Sequence, residues 1–217
     1  MRLSTDKHRG RRCSGRARWV NYFVHVALGL HAALFSASAI GGSGSDPHNP
    51  FSFYPFALPQ AQADYFQGYR EQWSRLTGFE YSGLHWKQFI AIFSNTGEAV
   101  FRHNYRTRLA EIEADEEEED FEGAFKAYAP GTILLKENYT SHLGKPSDPL
   151  TLTIMIKRAS GYDPKRGDWE YLQTSVDGAI IVHGNSQNST IEKACAECHN
   201  NVSERDYIFS SFYNILR

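Results

Sequence analysis

Alternation of apolar and polar residues is clearest between Leu150 and Arg158. Two sets of side chains fall on opposite faces of an extended chain there: Leu150, Leu152, Ile154 and Ile156 on one, and Thr151, Thr153, Met155 and Lys157 on the other. A period of two predicts a half-buried antiparallel strand. Gly131–Asn138 alternates in the same way and predicts a second strand.

Further strands are predicted where β-branched and aromatic residues cluster between turn signals. They are Lys87–Ser94, Trp169–Val176 and Ala179–His183. After the turn signal Asn95-Thr96-Gly97, residues Ala99–Tyr105 are predicted to return as a partner strand.

Helical periodicity is strongest before the strands, in Ala61–Leu76. Its large apolar residues recur at three to four positions: Tyr65, Phe66, Tyr69, Trp73 and Leu76. That spacing predicts an amphipathic packing helix. Helix, strands and then short helices together predict an α+β domain, built on a predominantly antiparallel β-sheet with an N-terminal amphipathic helix and short C-terminal helices.

The first 39 residues are predicted to be a secretory signal peptide. Seven basic residues and a single acid precede the mostly apolar stretch 19–39, which ends in Ala37-Ser38-Ala39. The alternative is an uncleaved membrane anchor, because about 20 residues span a bilayer; Asn21, His25 and His31 count against it. Residues 40–60, rich in Gly, Ser, Pro and Asn, are interpreted as a flexible linker, and residues 61–217 as the folded domain.

Loss of the leader would change the formal net charge from −2 to −8, since it removes seven positive charges and one negative charge. So acidic a protein is a poor partner for nucleic acid. Glu111–Asp120 holds eight carboxylates in ten residues, which is typical of a solvated helix face or loop. The alternative is a docking patch for a basic electron-transfer partner.

The chemistry of the chain is concentrated in Cys195-Ala196-Glu197-Cys198-His199. C-x-x-C-H is the attachment signature of a c-type haem, in which both thiols bond to the porphyrin and the histidine faces the iron. A redox disulfide or half a zinc site are the alternatives, but the only other cysteine is Cys13, in the leader. Ser189–Glu192 has the form of a capping box, which would start a short haem-bearing helix, and Ser203–Asp206 is predicted to start another.

Four segments in this order resemble the cytochrome P-460 family: Gly131–Tyr139, Thr153–Trp169, Cys195–His199 and Asp206–Phe209. The resemblance covers most of residues 62–213. It implies a β-rich, usually dimeric haem fold. The family includes enzymes that oxidise hydroxylamine and the beta type of cytochrome c prime, which binds nitric oxide.

In the enzymes of that family a lysine is bonded to the porphyrin edge, and Lys136 stands where that lysine would fall. From the residues alone, the favoured interpretation of Lys136 is a strand lysine that extends its ammonium to water, and only the resemblance gives the bond to haem equal weight. A bond to haem needs a deprotonated amine, which burial would favour. The resemblance also implies a distal carboxylate, which no motif in this sequence places.

His199 is predicted to be the proximal iron ligand, and the group in the sixth position decides the function. Met155, the only methionine after Met1, is either core packing or a sixth ligand. Four further histidines of the predicted domain are scattered along the sequence, and none is assigned as that ligand: His85, His103, His142 and His183. Phe89 and Phe93 share a strand face and are candidate distal caps, although core packing is the ordinary role of a phenylalanine.

The resulting hypothesis is an exported, periplasmic cytochrome with one covalently attached haem c and an open axial site, tethered to the membrane if the leader is retained. It would oxidise hydroxylamine to nitrous oxide or nitric oxide. The alternatives are a nitric-oxide binder without turnover and a plain electron-transfer cytochrome. The expected partners are a small nitrogen compound, an electron-transfer protein such as another cytochrome c, and a second copy of the chain.

Overall fold

The computed structural model of the protein describes residues 56–117 and 120–212. The predicted signal peptide and residues 40–55 of the predicted linker lie outside this part of the chain. The end of that linker is packed rather than flexible. Phe56 is buried in the core, and the Ala57 N–H donates to the Val176 carbonyl oxygen at 2.9 Å.

Within the described residues the fold is a seven-stranded sheet in which all pairings are antiparallel. The strands are β1 (Ser74–Arg75), β2 (Glu80–Ser82), β3 (Gln88–Ser94), β4 (Ile133–His142), β5 (Lys145–Lys157), β6 (Trp169–Ser175) and β7 (Ile180–Gly184). Their order is β1-β3-β4-β5-β6-β7, and β2 also pairs with β3. The predicted α+β class is confirmed, because short helices accompany this sheet.

Strand alternation divides the core between the two faces of the sheet. On β4, Ile133 and Leu135 belong to one apolar cluster and Leu134 to another. On β5, Ile154 and Ile156 join the first cluster and Met155 joins the second, as the period of two predicted. We call the face of the first cluster the closed face and that of the second the cavity face.

The helices are short, with one exception. They are α1 (Ala63–Phe66), α2 (Tyr69–Gln72), α3 (Ala99–Glu116), α4 (Ser189–Ile191) and α5 (Glu197–His199). Single turns of 3₁₀-helix occur at Gln60–Gln62 and Pro164–Arg166, a longer 3₁₀ segment at Asn200–Arg205, and a π-turn at Glu192–Ala196. Within the described ranges, none of these helices has both the length and the apolar character needed to cross a membrane.

The predicted N-terminal helix is broken in two. Gly68 has a φ of +69° between α1 and α2, and an L side chain there would be strained. Phe66 and Tyr69 nevertheless bury their rings in the closed-face cluster, whereas Tyr65 remains exposed. The aromatic pattern therefore identified residues that pack against the sheet, but not a continuous helix.

The prediction that Ala99–Tyr105 forms a strand is wrong, because this stretch begins α3. The buried side chains of α3 are Phe101, Asn104 and Thr107, at intervals of three. The Asn104 amide donates to the Lys126 carbonyl oxygen at 2.9 Å and accepts from the Lys126 N–H at 2.8 Å. Two of these three residues are polar, so the helix has only a weak hydrophobic pattern in sequence.

The prediction that a helix begins at Ser203–Asp206 is also wrong, since the 3₁₀ segment Asn200–Arg205 ends there. Asp206 and Tyr207 have φ values of +53° and +66°, which terminate the helix. Ile208 and Phe209 then run as irregular chain along the cavity.

Candidate haem site

The two cysteines lie on a helical segment made of α4, the π-turn and α5. Ile191 and Ala196 are fully buried on its inner side. Cys195 and Cys198 line a cavity and are free thiols, and burial raises the pKa of Cys195. π-turns are rare and frequently mark functional sites. This one carries Cys195, and α5, which follows it directly, carries Cys198 to the same cavity.

The start of this segment corrects the predicted capping box. Asn188, not Ser189, is the cap, and its side-chain oxygen accepts from the Thr190 N–H at 2.9 Å. Glu192 does not reach back to the cap but forms an ion pair with Arg166, which also donates to Asn200 Oδ1 at 3.3 Å. The turn between β5 and β6 thereby holds both ends of the cysteine segment.

His199 is fixed by a backbone hydrogen bond. Its Nδ1 lies 2.6 Å from the Tyr207 carbonyl oxygen, so Nδ1 carries the proton and Nε2 keeps its lone pair. Its ring contacts the rings of Tyr171 and Phe209, with centroids 5.9 and 5.4 Å away. Burial, and then the charge of Lys136, lower the pKa of His199 to about 4. The imidazole is thus neutral and suited to bind iron.

The Tyr207 carbonyl is held in place by Asp206. Lys157 Nζ lies 2.5 Å from Asp206 Oδ1, with both side chains about 10% exposed (11% and 10%). The Tyr128 N–H donates to Asp206 Oδ2 at 2.7 Å, and the Trp169 indole N–H donates to the Asp206 carbonyl oxygen at 2.9 Å. These contacts fix a corner whose two residues both have positive φ, and the corner orients His199.

The cavity has a volume of about 400 Å³ and lies between the sheet and the cysteine segment. Its sheet wall includes one row of cross-strand neighbours on four strands: Ile92, Lys136, Thr153 and Gln173. Phe101 of α3 and Phe209 of the C-terminal chain add apolar surface. The loop between β2 and β3 contributes Leu84, His85 and Trp86.

Lys136 is directed into this cavity. Its Nζ lies 2.5 Å from His85 Nε2, and Cys195 and Cys198 are close enough to act on its charge. Burial lowers the pKa of Lys136 to about 7, against the opposite effect of the two thiols. At neutral pH a substantial fraction of this amine is therefore unprotonated. The structure places Lys136 with the haem-motif residues and not at the surface.

Phe89 and Phe93 are not at the cavity, which corrects the interpretation of these residues as distal caps. Both are buried in the closed-face cluster, and the intervening residues Ile90 and Ile92 line the cavity instead. The period of two correctly paired the two phenylalanines on one face. It did not show which face of the sheet would hold the cavity.

The candidate sixth ligands differ in whether they lie at the cavity. Met155 lines the cavity and is buried in the cavity-face cluster. His85 also lines the cavity, whereas His103 bonds the Ala124 carbonyl oxygen at 2.9 Å and His183 pairs with Glu170. Sequence gave no reason to select His85, because its contact with Lys136 joins residues 51 positions apart.

The residues of the cavity fit a haem. Both thiols and the free Nε2 of His199 face one space whose volume lies within the ordinary range of ligand pockets, about 300–1,000 Å³. The buried hydroxyl of Tyr171, on the cavity wall, has no hydrogen-bond partner among the described residues. A group bound in the cavity would supply the partner that this hydroxyl lacks.

Comparison with known families agrees with this geometry. The sequence model of the family described as Cytochrome P460 matches residues 86–210, more than half of the chain. The match contains Lys136, the row of sheet residues and the whole C-x-x-C-H motif. A search of curated proteins gave no match. The chain belongs to the cytochrome P-460 family, which implies a haem cofactor and a c-type cytochrome.

Proposed function

We propose that this cytochrome carries one covalently attached haem c with an open axial position and oxidises hydroxylamine to nitrous oxide or nitric oxide. The observation that carries the proposal is the position of Lys136. Its amine enters the same cavity as Cys195, Cys198 and His199, where a bond from the lysine to the porphyrin edge would be made. A surface lysine would have favoured an ordinary cytochrome.

A bound haem would supply the iron that takes the nitrogen compound and the redox centre that accepts its electrons. The chain's own residues do the rest. Cys195 and Cys198 would hold the macrocycle, and His199, oriented through Tyr207, would supply Nε2 to the iron. A bond from the Lys136 amine to the ring edge would alter the electronic properties of the haem. The apolar walls exclude water.

One observation favours a second candidate, a nitric-oxide binder without turnover. Hydroxylamine oxidation releases protons together with electrons, so turnover needs a group that accepts them. Among the described residues that line the cavity, none is an aspartate or a glutamate. A protein that only binds nitric oxide needs no such group.

The test compares the wild type with Lys136→Met and Lys193→Met, purified with haem attached. Lys193 also lines the cavity and is the matched control. We expect the wild type and the Lys193 variant to show a strongly red-shifted ferrous Soret band and to reduce an electron acceptor steadily with hydroxylamine. Lys136→Met is expected to lose both properties. An ordinary c-type band in the wild type, with nitric-oxide binding but no acceptor reduction, would favour the second candidate.

We also propose that the protein is exported to the periplasm, pairs with a second copy of itself, and passes electrons to a protein such as another cytochrome c. The leader pattern and the haem-attachment motif support export, and the acidic run 111–120 supports a basic electron acceptor. Cell fractionation and the mass of the protein in solution test the first two statements. A salt-dependent rate of acceptor reduction tests the third.

A further inference from the structure

His85 stands beside Lys136 on the cavity wall, one residue before the stretch that matches the family. Its Nε2 lies 2.5 Å from Lys136 Nζ. The two residues come from different elements, the loop between β2 and β3 and the middle of β4. The contact is the one hydrogen bond recorded for the Lys136 amine in the described part of the chain.

The loop is built to direct His85 inward. Trp86 and Lys87, which follow it, have φ values of +52° and +59°, a conformation that costs energy for residues with side chains. The His85 N–H donates to Ser82 Oγ at 3.3 Å, and its carbonyl oxygen accepts from the Gln88 N–H at 3.2 Å. The Trp86 ring meets the His85 ring edge-on, with centroids 5.0 Å apart.

His85 is uncharged in the cavity at neutral pH, and Lys136 is largely uncharged at slightly basic pH. Burial first, and then the charges of Lys136 and His199, lower the pKa of His85 to about 2. The charged or titratable groups that face the pair are His199, Cys195 and Cys198. So weak a base does not remove a proton from the amine. A neutral imidazole can, however, hold the amine in one orientation by a hydrogen bond.

We propose that His85 is a positioning residue for Lys136. The His85 imidazole holds the Lys136 amine toward the porphyrin edge and so determines the yield of the lysine-to-haem bond. This inference rests on the proposed function, because it assumes that the bond forms. The orientation of a buried nucleophile strongly affects its rate, since a misplacement of about 1 Å can cost about a hundredfold.

The bond-forming step is an oxidation and needs a two-electron oxidant of the peroxide class. A bond forms between Lys136 Nζ and a porphyrin edge carbon, while one N–H bond and one C–H bond break. Two electrons and two protons leave, and they reduce one hydrogen peroxide to two water molecules. His85 takes no part in this balance and acts through the orientation of the amine alone.

The test uses the full chain with haem attached, in the wild type and in His85→Leu, His85→Gln and His142→Leu. His142 is an exposed residue at the end of β4 and is the matched control. After treatment with hydrogen peroxide, proteolysis and mass measurement give the ratio of Lys136 peptide attached to the haem peptide to free Lys136 peptide. We expect this ratio to fall about tenfold in His85→Leu, the size of one lost hydrogen bond. It should stay near wild type in His85→Gln, whose amide oxygen accepts the bond, and in the His142 control.

An unchanged ratio in His85→Leu overturns the inference, and so does a wild type without the bond. If the leucine variant does not load haem, His85→Asn replaces it. Its amide is one carbon shorter than that of glutamine, and we expect it to lose the bond as leucine does. Hydroxylamine-dependent acceptor reduction is measured on the same samples. If the bond depends on His85 but no acceptor reduction is seen, the inference stands and the proposed function is removed. If acceptor reduction is seen but the bond forms without His85, the proposed function stands and the inference is overturned.

Discussion

Lys136 and Glu137 are adjacent on β4, lie on opposite faces of the sheet, and differ in whether an opposite charge accompanies them. Glu137, on the closed face, is 2% exposed and accepts hydrogen bonds from the hydroxyls of Tyr69 and Tyr139 and, at 2.6 Å, from Arg70 Nε. Lys136, on the cavity face, contacts the neutral His85, and no carboxylate of the described residues pairs with its amine. A buried charge is tolerated when fully paired, and a buried group without an opposite charge becomes neutral. The closed face is thereby fixed, and the cavity face is left with a reactive amine.

The strongest test of this difference is Glu137→Leu against Lys136→Met, both in protein prepared without haem. Glu137→Leu removes the acceptor of two buried hydroxyls and leaves Arg70 without its buried carboxylate partner. We expect the free energy of unfolding to fall by about 3–5 kcal/mol. Lys136→Met removes a buried amine and is expected to leave stability unchanged or raised. Urea unfolding gives both values, and a loss of stability in the methionine variant as large as that in the leucine variant would remove the contrast.

The lowered pKa of Lys136 gives the next largest effect, a dependence on pH. In the unfolded chain the amine binds a proton up to its ordinary pKa of 10.5, whereas in the folded, haem-free protein it releases the proton near pH 7. Between these values the unfolded state holds more protons, so this group makes stability rise with pH. The free energy of unfolding of Lys136→Met, relative to that of the wild type, should therefore fall by about 2 kcal/mol from pH 7 to pH 9. The measurement is urea unfolding at both pH values. Equal differences at the two pH values would show that the amine is not held neutral.

Local sequence specified the sheet better than it specified the site. Alternation in β5 depends only on neighbouring residues, so it correctly divided Ile154 from Met155. The same period paired Phe89 with Phe93 but could not show that the cavity lies behind Ile90 and Ile92, because that choice depends on which elements cover each face. Helix α3 was missed because its buried stripe is mostly polar.

The residues of the site also differ in whether the sequence alone identified them. The thiols and His199 follow from one motif of five residues, and Lys136 from a resemblance extending over several strands. His85 reaches the cavity only through a loop of unusual backbone conformation, 51 residues before its partner. Contacts of this kind depend on tertiary structure and leave no local pattern in a single sequence.

Asp206→Asn tests how the cavity face holds His199, with a smaller expected effect. The amide keeps an oxygen for the Tyr128 N–H but removes the charge opposite the buried Lys157 ammonium. Asparagine also tolerates the positive φ of this position. We expect a loss of about 1–2 kcal/mol of unfolding free energy in the haem-loaded protein. A shift of the haem absorption should accompany it, since the Tyr207 carbonyl that orients His199 is loosened. Asp177→Asn, in the exposed turn between β6 and β7, is the control and should leave the absorption unchanged.

The smallest expected effect concerns the start of the cysteine segment. Asn188→Ala removes the side-chain oxygen that accepts the Thr190 N–H, and loss of such a cap costs about 1 kcal/mol. Ser189→Ala, one residue later, removes a hydroxyl for which no capping bond is found and should change stability by less than about 0.5 kcal/mol. Thermal unfolding of the two haem-free variants against wild type separates them. If the serine variant is the more damaged, the segment begins with the capping box that its sequence predicts, and both thiols would then be presented from a differently placed first turn.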